Sequence, residues 1–321
     1  MVKKYEIRSI VLDEQWRDPM KRSMLELMSK YKVETVNYDS FSKADDEEIT
    51  KIIKELGSTY NKSNISKIKE SLKSKKFGNE ILYFEKVDST NLIAKFLAIN
   101  GASEGTIILS DVQLKGKGRS GKKWESPPGG IWFSIILKPT ISPSKAPLIT
   151  LATGVAVAKT LKKLGVEAKI KWPNDILIND KKVCGILTEA NASHDFVDYV
   201  VVGIGIDTNL NLDTLPPLIK ERSTTLKNEL KHDINNVKVI TEILSEFEIT
   251  YEKLQEEKFD EILHEWRNLS QTIGNYVEIK QPLGKILEGH AVGIDNSGAL
   301  IIESSNGELK KIISGECALK N

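Results

Sequence analysis

The run Gln113-Leu-Lys-Gly-Lys-Gly-Arg-Ser-Gly-Lys-Lys-Trp124 sets three glycines among five cationic side chains, with no acid between them. Glycines let a loop adopt backbone angles closed to other residues and let its N–H groups approach a ligand. The cations supply charge for a phosphate or a carboxylate. That chemistry is the grip of a flexible loop on an anionic small molecule. A second concentration lies at Lys171-Trp-Pro-Asn-Asp175, where an apolar strand runs into a proline stop and two short polar side chains. A third lies at Asp180-Lys-Lys-Val-Cys-Gly-Ile-Leu187, where Lys182 stands just past a turn.

Several readings of the glycine-rich loop fail. Gly116, Gly118 and Gly121 spell G-x-G-x-x-G, but a dinucleotide fingerprint needs a helix opening at the third glycine and an acid about 20 residues on. Here the third glycine leads into Lys-Lys-Trp-Glu-Ser-Pro-Pro-Gly-Gly, and no acid lies between Glu125 and Glu167. Neither H-R-D nor D-F-G occurs, which excludes a protein kinase, and there is no G-x-x-x-x-G-K-[ST]. A solvated basic loop without a ligand is the bland alternative. Adjacent cations repel one another until an anion arrives, so the loop is expected to be mobile when empty and ordered by ligand.

The elements that must position these residues follow from patterning. Ile81–Val87, Thr106–Ser110 and Ile131–Leu137 read as strands. Asp88-Ser-Thr offers N-caps for a helix ending at Gly101. Ala146–Leu164 reads as a helix buried on several sides. Lys169–Trp172, Asp175–Ile178 and Val183–Thr188 are strands, the last two a hairpin through Asn179-Asp-Lys. Tyr199–Ile206 is a further buried strand, and Ile240 to Trp266 is helical with a break near Lys258. From Gln271 onward, short strands at Tyr276–Lys280, Lys285–Ile294, Ala299–Glu303 and Leu309–Ile313 alternate with Asn296-Ser-Gly and Ser305-Asn-Gly turns, a small all-β barrel. Near the N-terminus, Glu6–Leu12 reads as a strand, and Pro19–Lys30, Glu47–Leu56 and Asn64–Ser74 as helices.

Taken together the residues resemble the biotin protein ligases, which activate biotin with ATP and attach it to a carrier lysine. The carrying segments are Val87-Asp-Ser-Thr-Asn91, the Gln113–Trp124 loop, Lys171-Trp-Pro-Asn-Asp175, Asp180–Leu187 and Val202-Gly-Ile-Gly-Ile206. Gly293-Ile-Asp-Asn-Ser-Gly-Ala-Leu300 and Gly315-Glu-Cys-Ala-Leu319 complete the set. Their ordered combination over residues 71 to 321 is highly specific. The resemblance implies an α+β fold: a catalytic core like that of class II aminoacyl-tRNA synthetases at 71–270 and a C-terminal SH3-like β-barrel at 271–321. Residues 1–70 are expected to form a small α/β or helical N-terminal extension.

What the resemblance implies for the site is specific. Lys182 matches the lysine that contacts both the biotin carboxylate and the phosphate. Arg119 matches the arginine that holds the adenylate intermediate, a task suited to a bidentate guanidinium. Ser89, Thr90, Gln113, Gly116 and Lys117 match biotin-contacting positions, joined by Arg119, Lys182 and the glycines Gly185, Gly203 and Gly205, where backbone approaches closely. Trp124 matches an adenine-stacking position. Asn174 and Asp175 match residues near the phosphates, with Asp175 a candidate to hold magnesium or to orient or deprotonate the incoming amine. Asp207 stands on the nucleotide side where the pattern usually has Asn, and Lys117 and Ser120 stand where arginines are frequent. Bland readings run alongside: helix capping for Ser89 and Thr90, a core anchor for Trp124, a plain turn for Pro-Asn-Asp, a bulge for the glycines.

The expected activity is therefore an ATP-dependent biotin–protein ligase. Biotin and MgATP are its substrates, and the biotin carboxyl carrier domain of a carboxylase is its protein partner. Lipoate–protein ligase and a biotin-responsive repressor are the alternatives. A chain of 321 residues with net charge +1 does not coat nucleic acid through bulk charge. Four scattered histidines have no metal-ligand spacing. The N-terminus shows no apolar leader and no stretch is long enough to span a bilayer, which points to the cytoplasm. The acidic run Asp45-Asp-Glu-Glu48 sits awkwardly beside DNA, so sequence-specific DNA binding by residues 1–70 is not expected, and a homodimer is left open. On this reading, removal of residues 1–70 leaves biotin transfer within about tenfold.

Overall fold

The computed structural model describes residues 46–320. The strand and first helix expected at Glu6–Leu12 and Pro19–Lys30 lie outside the described residues. In chain order the elements are α1 (Asp46–Thr59), α2 (Lys62–Ser71), β1 (Ile81–Val87), α3 (Thr90–Ile99), β2 (Ile107–Gln113), β3 (Ile131–Leu137) and α4 (Pro147–Lys163). There follow β4 (Ala168–Lys171), β5 (Asp175–Ile178), β6 (Lys181–Ala192), β7 (Val197–Ile206), α5 (Pro217–Arg222), α6 (Leu226–Leu230), α7 (Asn236–Gln255) and α8 (Phe259–Leu269). The chain closes with β8 (Tyr276–Lys280), β9 (Ile286–Ile294), β10 (Leu300–Glu303), β11 (Leu309–Ile312) and β12 (Glu316–Lys320).

Seven strands form one sheet in the order β1-β2-β3-β7-β6-β5-β4. Only β1 and β2 run parallel; every other neighbouring pair is antiparallel. Strands β2, β3 and β7 are largely apolar, because helices pack on both faces of the sheet there. Along β2, β3 and β7 alternate residues serve opposite cores. Ile107, Leu109, Ile135, Val200 and Val202 join the core beneath α2, α4, α7 and α8. Ile108, Ile136 and Val201 join the smaller core beneath α1 and α3. Period-two side-chain alternation on a sheet buried on both faces yields such continuous apolar runs.

The β5–β6 hairpin turns through Asn179 and Asp180, at φ 50° and 61°. Two consecutive left-handed residues match the twist of the flanking strands, and Asn and Asp tolerate that conformation best among non-glycines. The register then slips: Ile176 faces Cys184, while Leu177 faces Lys182. This bulge at Val183 aims the Lys182 side chain beside Asp175.

The second sheet has the order β11-β10-β9-β8-β12, all antiparallel. Its turns place Gly298 and Gly307 at φ 80° and 78°, the conformation that glycine reaches without strain. Its last strand, β12, does not appear among the strands read from sequence. It pairs with β8 at the edge of this sheet. The two domains are joined where Trp172 Nε1 donates to Gly298 O at 3.1 Å and Arg267 to Ile294 O at 3.1 Å.

Residues 46–71 are packed into this body. Ile49, Ile52 and Ile53 of α1 lie in one core with Leu82, Phe84 and Phe96. Ile65 and Ile68 of α2 lie in the other with Phe77 and Phe247. A Cβ on Gly57 would stand 2.7 Å from Leu82 Cβ, so α1 touches β1 almost backbone to backbone. A cut after residue 70 exposes both surfaces, which runs against the expectation that 1–70 is dispensable.

Candidate active site

A cavity of about 400 Å³ opens over the β3-β7-β6-β5 stretch of the large sheet and is closed on one side by β8 and β12 of the C-terminal sheet. Its wall includes Ser89, Thr90, Gln113, Lys117, Arg119, Trp124, Asn174, Asp175, Lys182, Gly185, Gly203 and Gly205. Two of the expected residues are not on that wall. Gly116 is buried behind Gln113: its carbonyl accepts Trp124 N–H at 2.8 Å, and a Cβ there would meet Trp124 O at 2.4 Å. Asp207 is buried beyond the end of β7, where its backbone bonds Val183 O and Leu226 N.

One end of the cavity is a floor of uncharged hydrogen-bonding groups. Gln113 Oε1 accepts from Thr90 N–H at 2.9 Å and from the Thr90 hydroxyl at 3.2 Å, while Gln113 Nε2 donates to Ser126 Oγ at 2.9 Å. Ser134 Oγ lies 2.7 Å from Thr90 Oγ1 and 2.6 Å from Asn91 Oδ1. Helix capping is therefore not what this segment does. Ser89 makes no side-chain cap bond at the start of α3, and Asp88 pairs with Lys115 at 2.8 Å. Asn91, read only as part of a motif, proves central.

The other end is charged. Asp175 holds Lys182 Nζ at 2.6 Å and Lys171 Nζ at 3.2 Å. Burial pushes the Asp175 carboxyl up, but the two ammonium groups outweigh it and leave the value below the usual carboxylate range. Arg119 donates to Asn174 Oδ1 at 3.4 Å and to Gly315 O at 3.3 Å. Burial lowers its guanidinium against the raising effect of Asp175 and Glu316. Asn174 is fixed in turn by its Nδ2 bond to Ile186 O at 2.8 Å.

Two details differ from expectation. The room above the β6 and β7 glycines is filled by side chains of the protein. A Cβ on Gly205 would lie 2.4 Å from Trp124 Nε1, one on Gly185 3.0 Å from the same ring, and one on Gly203 2.1 Å from Asn91 Oδ1. Trp124 thus lies across the sheet, with Lys182 Nζ 4.8 Å from its ring centre and its indole N–H buried without a partner. Asp175 is also poorly suited to magnesium, because two ammonium groups already occupy its oxygens. Among the described residues no group of three or more His, Cys, Asp or Glu side chains is placed to hold a metal ion.

The glycine-rich loop is itself a small hairpin. Gly118 N–H donates to Lys122 O at 2.7 Å, and the tip turns through Ser120 at φ 55° and Gly121 at φ 74°. Lys122 pairs with Glu316 at 2.7 Å. Glu316 and Gly315 were not read as site residues individually; they come from β12, almost 200 residues away in sequence.

The described architecture has close relatives. Residues 83–207 match the Biotin/lipoate A/B protein ligase family, and residues 272–320 match the Biotin protein ligase C terminal domain. The bifunctional ligase/repressor BirA of Bacillus spizizenii is 39% identical over 256 residues, 79% of this chain and 78% of that protein. The chain belongs to the biotin protein ligase family. The biotin–[acetyl-CoA-carboxylase] ligase of Paracoccus denitrificans is 30% identical over 69% of this chain and 93% of that one. The biotin protein ligase of Aquifex aeolicus, solved in complex with biotin and ATP, superposes with a TM-score of 0.64 at 30% identity, covering 75% of this chain and 99% of the other. The mixed α+β core and the C-terminal five-stranded sheet are the fold of this family. Among the described residues no helix is long and apolar enough to cross a membrane.

Proposed function

We propose that the protein is an ATP-dependent biotin–protein ligase that makes biotinyl-5′-adenylate and passes the biotinyl group to a carrier lysine. One observation carries the reading. A single cavity joins the hydrogen-bonding floor at Thr90 and Gln113 to the charge cluster of Lys182, Asp175 and Arg119. The floor suits the ureido ring of biotin, and the charged end suits its carboxylate and the phosphates of MgATP. Lipoate offers its dithiolane ring to the same floor and would leave those polar groups without partners, a cost of about 1–3 kcal/mol for each.

In the first half-reaction a biotin carboxylate oxygen forms a bond to the α-phosphorus and the bond to pyrophosphate breaks. Negative charge grows on the phosphoryl oxygens. Lys182 and Arg119 are fixed cations at the charged end, held in place before reaction by Asp175, Asn174 and Gly315. Such preorganised charge lowers a barrier because it needs no reorientation at the moment of reaction. In the second half-reaction the neutral carrier amine attacks the acyl carbon, AMP leaves with the bonding electrons, and the amine nitrogen releases one proton to solvent. Asp175 stays ionised at neutral pH and is a weak base, so it orients the incoming amine and stabilises its developing charge.

The carrier is the biotin-accepting domain of a carboxylase, which presents its lysine on a separate protein. Incubation with radiolabelled biotin, ATP and a biotin-acceptor domain, with lipoate in parallel, tests the reading. ATP-dependent labelling by biotin alone is expected. Preferential transfer of lipoate, or no transfer of either acid, would sink it.

A further inference from the structure

Behind the floor of the cavity lies a residue that is not itself on its wall but holds one that is. Glu189 on β6 accepts from Asn91 Nδ2 at 2.8 Å and is paired with Lys95 of α3. Its partner Asn91 is buried, between the Gly203 backbone and the Thr90–Ser134 pair.

The hydrogen inventory gives this contact its meaning. A carboxylate only accepts, and so does the Leu187 carbonyl 3.3 Å from the same nitrogen. Both therefore hold the amino end of Asn91 away from the cavity and turn its Oδ1 toward Ser134 Oγ, 2.6 Å away. Ser134 has one hydroxyl proton and two acceptors within reach, Asn91 Oδ1 and, at 2.7 Å, Thr90 Oγ1. The amide oxygen is the more negative, and it takes the proton. On the other side, Gln113 is locked by Ser126, so its Oε1 faces Thr90 and receives the Thr90 hydroxyl proton. Thr90 Oγ1 receives at most a share of the Ser134 proton and keeps a lone pair for a ligand donor. Gln113 Oε1 is likewise an acceptor. If Asn91 were reversed, its amino group would face Ser134, and the Ser134 proton would swing to Thr90 and consume a lone pair.

We propose that Glu189 is a positioning residue that sets the hydrogen-bond polarity of the cavity floor, so that Thr90 and Gln113 present acceptors to the N–H groups of a cyclic urea. The proposal rests on the reading of biotin as the substrate. It assigns selectivity for ring N–H donors to a side chain that never meets the ligand.

The test compares the affinity for biotin with that for its lactam analogue, in which CH2 replaces one ureido N–H, by calorimetry on the full chain. The parent protein is expected to prefer biotin by about tenfold or more, the worth of one well-placed hydrogen bond. Glu189→Gln lets an amide donate to Asn91 Oδ1 and reverse it, and the preference is expected to fall toward unity. Adding Asn91→Asp to Glu189→Gln restores an acceptor-only group facing Ser134 and should recover the preference. Lys95→Met removes the ion pair while leaving the polarity intact and should keep it. Melting curves establish that each variant is folded. An unchanged preference in folded Glu189→Gln overturns the proposal, and so does a double variant as indiscriminate as the single one. Loss of preference in Lys95→Met overturns it too, by giving the effect to the ion pair. A parent protein that binds no biotin defeats the functional reading instead.

Discussion

At the scale of the residue, Lys182 and Asp175 divide the work. Lys182→Ala is expected to slow adenylate formation by ~10²–10³, the usual loss on removing one fixed donor from a developing anion; pyrophosphate release in single turnover reads it, and a near-normal rate in a folded variant refutes the role. Asp207 invites a different measurement. Burial raises its carboxyl to about 8, against the pull of Lys182. The folded state therefore holds a proton that the unfolded chain releases from 3.8 upward. Stability from this group is full below 3.8 and is lost as pH rises toward about 8, at about 1.4 kcal/mol per unit. Asp207→Asn removes the charge but keeps the shape. Its melting temperature should exceed the parent's by several degrees at pH 8 and by almost nothing at pH 4, with the KM for ATP unmoved because the side chain is off the cavity wall. Equal gains at both pH values would show that Asp207 is not the buried acid described.

At the scale of the element, much was legible and the failures have physical causes. β1, β3, β5 and β8 were read to the residue, because β-rich runs are bounded sharply by turn residues. The hairpin bearing Lys182 was legible through Asn179-Asp-Lys, and the break in the long C-terminal helical stretch was placed beside Lys258, where α8 begins after α7 ends at Gln255. The strand β12 was missed: Glu-Cys-Ala-Leu-Lys is short, and its pairing with β8 is long-range. Ser89 and Thr90 looked like caps because hydroxyls before a helix usually are; only the position of Gln113, more than twenty residues on, shows their other engagement. Nothing local marks Glu316 as the partner of Lys122. That contact ties the glycine-rich loop to the C-terminal sheet and occupies a cation that an anionic ligand would otherwise draw. Glu316→Gln is expected to speed tryptic cleavage at Lys122 and Lys123 in the empty protein several-fold. Biotin with ATP should restore protection in both forms. Identical digestion of parent and variant would mean that the loop is held by its own hairpin bonds alone.

At the scale of the whole molecule, the question is where the ligase body begins. The family matches start at residue 83, yet α1 and α2 are packed into the two cores on either side of the large sheet. Ile49, Ile53 and Ile68 are each 1% exposed; burying such side chains stabilises by about 1.5–3 kcal/mol apiece, so losing all three removes a large part of a typical domain's 5–15 kcal/mol. The acidic residues Asp46, Glu47 and Glu48 form the first turn of α1, where negative charge favours the helix. The run that looked awkward beside DNA thus has a structural use. With their apolar faces turned to the ligase body, these two helices are not free to build the core of a separate DNA-reading domain. A chain starting at residue 46 should fold and transfer biotin within about tenfold of the parent, whereas one starting at residue 72 should aggregate or melt far lower, exposing Leu82 and Phe84 on one face and Phe77 on the other. Comparing yield, melting temperature and single-turnover transfer for the two truncations decides the matter. Equal behaviour would mean that both helices are ornamental. In the parent, mobility-shift experiments with and without biotinyl-adenylate at physiological salt should give no tight sequence-specific DNA complex. An adenylate-dependent, salt-resistant shift that disappears when residues 1–45 are removed would place a DNA-reading element in that segment and overturn the expectation.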